Sequence, residues 1–160
     1  MKHIIFSIFM LSGMVVGAEI ESPPPVNLLL LPESKVYEGQ PTTGHHRSKK
    51  YCYNVGSVFV VFSENVVGEG YSFHSISPEL NCRTASSKVS TSNSMGLRIG
   101  LNVAKASSLL GVELNEGKNE IVWLYQRPIN NQAFYDQTIL EVSVEKGAII
   151  DLSVFNTITN

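Results

Sequence analysis

The sequence predicts an α+β domain, a short helix packed on an antiparallel β-meander and stapled by one disulfide. Three observations carry that expectation. Residues 102–111 frame an amphipathic two-turn pattern between an Asn and a Gly. Three β-textured runs follow it, over 120–126, 138–145 and 148–155. The chain holds just two cysteines, Cys52 and Cys82, behind a segment that looks like an export signal.

The export signal comes first in the chain. Met1-Lys2-His3 is a short basic start, and residues 4–16 are apolar except for Ser7, Ser12 and Gly13. Val16-Gly17-Ala18 places small residues where a signal peptidase reads them, so cleavage is expected after Ala18. The apolar run falls short of the roughly 20 residues that span a bilayer. No cysteine stands at the cut, so no lipid acceptor is present there and no stable membrane anchor is expected after cleavage. The mature chain is expected to be periplasmic or secreted.

Removing residues 1–18 from the 160 leaves 142, consistent with a single domain over 26–157 behind a leader. A chain of that length can bury about two-thirds of its unfolded surface. The formal charge is −2, and becomes −3 once Lys2 is lost. No basic bias points to nucleic acid. Arg47, Lys49 and Lys50 cluster weakly and read as a solvated loop. An even cysteine count in an exported chain argues for a Cys52–Cys82 bridge. Closing that 30-residue separation stabilises by about 3–4 kcal/mol in the chain-entropy model.

Residues 19–25 form a leader whose Pro23-Pro24-Pro25 can enter neither a helix nor a central strand. Residues 26–31 are an apolar run ended by Pro32, expected as a first strand. Residues 40–50 mix Pro41, Gly44 and two histidines with polar groups and read as a loop. Residues 57–62 are rich in β-branched and aromatic side chains, and 63–65 can turn. Residues 71–76 alternate apolar and polar with period two, which predicts a half-buried strand. Residues 85–94 are a Ser/Thr-rich connector without apolar periodicity.

The helix is expected over 103–110. Asn102 can accept a first-turn amide, Val103, Ala106 and Leu110 repeat at helical spacing, and Gly111 suits a left-handed C-terminal residue. In the strands beyond it, alternation puts Leu140, Val142 and Val144 on one face, matched by Ile150, Leu152 and Val154. Lys146-Gly147 makes the tight turn between them.

The second half, from Gly96-Leu97-Arg98-Ile99-Gly100-Leu101 through Leu109-Leu110-Gly111 and 121–125 to 140–150, resembles a known module. It is the one shared by the β-lactamase-inhibitor protein and the small lipoprotein of the outer-membrane assembly machinery. The resemblance covers residues 95–156, and its motifs are glycines and core positions, so it implies fold before function. It also implies a tandem: residues 59–65 can be laid over 140–146 as a degenerate second copy, although no Asn-capped helix precedes them. The lipoprotein members carry an acylated cysteine after the signal, and Ala18-Glu19 offers none. No binding residue can be carried over.

No enzyme constellation stands out. G-x-S-x-G, H-E-x-x-H and G-x-x-x-x-G-K-[ST] are all absent. His45-His46 could ligate metal in a loop, but an exposed polar loop is the simpler account, so no metal and no cofactor are expected. His74 stands beside Ser72 and Ser75. It could act as a general base with an Asp or Glu, but no nucleophile with an orienting partner is visible near it in sequence. The aromatics of the second half suit a protein interface better. The stretch 127–137 reads as a long polar loop, and within it and at its edge Tyr125, Arg127, Phe134, Tyr135 and Asp136 are the candidate contacts. The expected function is an exported, non-enzymatic protein-binding module, with an inhibitor or immunity protein of an envelope-acting or secreted enzyme as its sharpest form. The alternatives are a structural factor for outer-membrane assembly and a small hydrolase using His74 or the His45-His46 loop.

Overall fold

The computed structural model describes residues 18–20, 43–45, 48–66, 68–85, 89–129 and 132–159. The export segment through residue 17, the leader from residue 21 and the expected strand over 26–31 lie outside them. The strands are β1 (Ala18–Ile20), β2 (Thr43–His45), β3 (Ser48–Val55), β4 (Val58–Asn65), β5 (Gly68–His74), β6 (Arg83–Thr84), β7 (Gly117–Ile129), β8 (Gln132–Glu145) and β9 (Ala148–Thr159). The helix α1 is Val103–Leu110.

All nine strands join one mixed sheet, in the order β1-β7-β8-β9-β5-β4-β3-β2 with β6 beside β3. The β1–β7 and β3–β6 pairings are parallel and the others antiparallel. This corrects the α+β expectation: the protein is mostly β, and its one described helix has eight residues. Nor are there two stacked units. The antiparallel pairing of β5 with β9 fuses the first half of the chain to the second in a continuous sheet.

Register explains the core. Tyr51, Phe62, Tyr71, Val154, Leu140 and Ile121 stand directly opposite one another from β3 across to β7. Tyr53, Val60, Phe73, Leu152 and Val142 form the next row. All of them are buried. The period of two in these strands puts the rows on one face, and burying such rows is the main favourable term in the fold. That face is closed by the chain between β6 and β7, which contributes Val89, Leu97, Ala106, Leu110 and Leu114. Most of the cover is thus irregular backbone, and α1 supplies Ala106 and Leu110, with Val103 and Leu109 partly buried against the core.

Local chemistry fixes the cover in place. Asn102 Oδ1 accepts from the amides of Ala104 (2.9 Å) and Lys105 (3.4 Å), and the Gly111 amide donates to the Ser107 carbonyl at 2.8 Å with φ 70°. The helix start is tied to the sheet: Val103 N donates to Gly147 O, and Ile149 N to Leu101 O. Lys146 and Gly147 turn β8 into β9 with φ of 53° and 73°. Two successive positive φ values are the signature of the tight hairpin turn, and glycine takes the second without strain. The Glu116 carboxylate accepts from both turn amides, at 3.1 and 2.6 Å.

Several boundaries move. The turn expected at 63–65 is strand, since β4 runs to Asn65. The loop expected over 40–50 contains β2 and the start of β3. Ile150 is half-buried and Ile149 takes the core position, because a bulge pairs Val144 with Ile149 and Ser143 with Asp151. Strand β5 ends at His74, short of the expected Ile76, which is exposed.

Candidate functional site

The face of the sheet opposite the core is built from the alternate residues of the same strands. Ser72 and His74 stand on β5, opposite Ser153 and Asp151 of β9. Glu141 and Ser143 of β8 continue the two rows, then Glu120 and Lys118 of β7. These side chains are half-buried or exposed. With Asn119 and Val142 they border a groove of about 360 Å³.

The close seating of β5 on β9 sets this register. A Cβ on Gly70 would fall on the Val154 carbonyl oxygen and within 2.7 Å of the Phe155 ring. Only glycine therefore lets the two backbones approach here. Two residues on, Ser72 and His74 point to the polar face and meet β9.

There they form a hydrogen-bonded chain. His74 Nδ1 lies 2.9 Å from Asp151 Oδ1, and His74 Nε2 lies 2.7 Å from Ser72 Oγ. The carboxylate can only accept from Nδ1, which assigns the proton to that nitrogen. In the neutral imidazole, Nε2 is then the acceptor for the Ser72 hydroxyl. The imidazole is 25% exposed and Asp151 44%, so the chain is anchored in the sheet while its Ser72 end reaches the groove. One row along, Ser153 Oγ donates to Glu141 Oε2 at 3.3 Å. Glu141 stands directly across from Glu120. Like charges at facing positions repel, so this end of the groove is acidic, with Lys118 the cation on its border.

The disulfide shapes the other end. Cys52 stands on the polar side of β3, opposite Val61, and its bond to Cys82 holds the chain after β5 across β3 and β4. Lys50, Val61, Ser63, Pro78, Glu79 and Leu80 enclose a second cavity of about 320 Å³ there, and Ser72 and His74 line it too. The pair therefore stands between the two hollows.

The sequence-predicted contact residues lie elsewhere. The stretch 127–137 is not a loop. Residues through Ile129 belong to β7 and those from Gln132 to β8, and the two strands pair Tyr125 with Asp136 and Arg127 with Phe134. The projecting end of a hairpin thus carries them. Phe134 and Asp136 are half-buried and Tyr135 is exposed at its margin. Phe134, Tyr135 and Asp136 do not line the groove. His45 falls in β2, and His46 lies outside the described residues. Cys52 and Cys82 are bonded as expected.

What the sequence reading missed is Asp151, the partner of His74. The two are far apart along the chain and adjacent only through the β5–β9 register. The Ser-x-His spacing within an alternating strand was visible, and it alone placed Ser72 and His74 on one face. Among the described residues, no three His, Cys, Asp or Glu side chains are grouped to hold a metal ion. No helix among them is long and apolar enough to cross a membrane. No family model, curated protein or solved structure matches the chain.

Proposed function

We propose that this chain is an exported protein-binding module that presents the polar face of its sheet to a partner, as an inhibitor or immunity protein of an envelope-acting or secreted enzyme does. The observation that carries this reading is the groove bordered by Ser72, Glu120, Glu141, Ser143, Asp151 and Ser153 on the polar face, beside the part that the chain after β5 crosses. The opposite face is filled by α1 and its flanking chain. The groove's polar groups sit on paired strands, so a partner meets them already ordered and little side-chain entropy is lost on docking. Three carboxylates against one lysine favour a partner surface rich in Lys or Arg. The Cys52–Cys82 bond is compatible with an oxidising, exported compartment, and the export pattern of residues 1–18 fits the same destination.

The test is comparative capture from envelope extract with the full chain as bait. Glu141→Lys together with Ser143→Arg is expected to abolish retention of a protein that the wild type holds. Tyr135→Ala and Asp136→Ala separate the hairpin end from the groove. Retention unchanged by the groove variant, or lost only with the hairpin variants, would move the surface off the polar face. Retention of nothing by the wild type would remove the reading.

A further inference from the structure

We infer that Ser72 is an activated nucleophile able to take an acyl group from a small ester, with His74 as its general base and Asp151 as the positioning residue. This goes beyond the binding role, which does not need it. Three requirements of acyl transfer meet here. The hydroxyl is 2.7 Å from the imidazole nitrogen that must remove its proton. The imidazole is held in the matching tautomer by a carboxylate 2.9 Å from its other nitrogen. A cavity of about 320 Å³ opens beside both, and Lys50, a cation suited to the oxyanion that forms, is among the residues that line it. That volume and its mixed lining, with Val61, Pro78 and Leu80 beside the polar groups, suit a short-chain carboxylic ester.

The step balances on these groups. Ser72 Oγ attacks the carbonyl carbon and its proton passes to His74 Nε2. The ester C–O bond breaks, and the alcohol leaves with the proton from Nε2. Water then attacks the acyl-serine and gives a proton to His74. The acid departs as that proton returns to Ser72 Oγ. The net reaction is ester plus water to acid plus alcohol.

The test exposes the folded full chain to an alkyl fluorophosphonate, with p-nitrophenyl acetate as the turnover probe. Peptide mass analysis is expected to place one phosphonyl group on Ser72, and Ser72→Ala to remove it. His74→Gln should slow labelling at least a hundredfold, and Asp151→Asn at least tenfold with an unchanged near-UV circular dichroism spectrum. Asp151→Glu, which restores the acceptor, should recover part of the rate, whereas a merely structural loss would slow neither labelling nor turnover selectively. Lys50→Met should lower the rate without moving the label. No label, a label on another serine, or equal labelling of Ser72 in His74→Gln overturns the inference. The capture experiment with Glu141→Lys and Ser143→Arg reads binding alone, so either result can fail without the other.

Discussion

Tyr71 is 4% exposed and stands in the centre of the first core row. Burial in this apolar layer pushes its phenol up to about 12 from 10.0, and contact with the Asn93 side chain offsets only part of that. The folded state therefore holds this proton more tightly than the unfolded chain. The stabilisation is fully present below pH 10 and is lost as pH rises through 12, a total loss of about 3 kcal/mol. Urea titrations from pH 8 to 12 should show a steeper alkaline loss for the wild type than for Tyr71→Phe. Parallel slopes would contradict the assignment. Asn93 has its own local task. Its Oδ1 accepts from the amides of Met95 and Leu97, at 3.1 and 2.9 Å, and shapes the turn that seats Leu97 in the core. At this scale the sequence was a fair guide to single residues with local partners and a poor one to distant pairs. Asn102 and Gly111 announce their roles because their partners are within one helical turn. Asp151 gives no such sign, because its partner arrives only when β5 meets β9.

The elements divide along the same line. Helix α1 begins and ends where propensity and capping place it, and its N-cap bonds are on the exposed side. Asn102→Ala leaves the Ala104 and Lys105 amides to water alone, at a cost of about 1 kcal/mol in thermal or chemical unfolding. A change within error would mean that the sheet contacts of Leu101 and Val103 hold the helix start by themselves. The last hairpin was also legible, since Lys146-Gly147 is a local turn signal between two alternating runs. The bulge opposite Ser143 was not, and it moved the core position from Ile150 to Ile149. Alternation says which residues share a face, but an inserted residue resets the count. The stretch 127–137 misled for a related reason. Its Pro128 and paired asparagines suggest a loop, yet long neighbouring strands carry pairing through to Ile129 and Gln132.

For the whole molecule, the error in fold class came from treating the halves separately. Each half alone reads as a meander with or without a helix, and nothing local reports that β9 accepts β5 along its free side. The Ser/Thr-rich connector, which lacks periodicity, also gave no sign that Val89 would enter the core beside Leu97 from the chain that follows. The disulfide was legible from count and compartment alone. It closes a loop of 30 residues that contains β4 and β5. Reduction, or Cys52→Ser with Cys82→Ser, should therefore lower unfolding free energy by about 2–5 kcal/mol, read as a lower denaturation midpoint. An unchanged midpoint would show that the sheet holds these strands without it. The same bond holds the chain after β5 that borders the second cavity, so it supports one wall of the polar face. The proposed role makes this polar face the surface that meets a partner. The most direct measurement places a photo-cross-linking amino acid at Ser143 in the groove, and separately at Val66, which is 75% exposed and does not line the groove, in living cells. One discrete protein adduct is expected from Ser143 and none from Val66. Equal adducts from both positions, or none from Ser143, would contradict it.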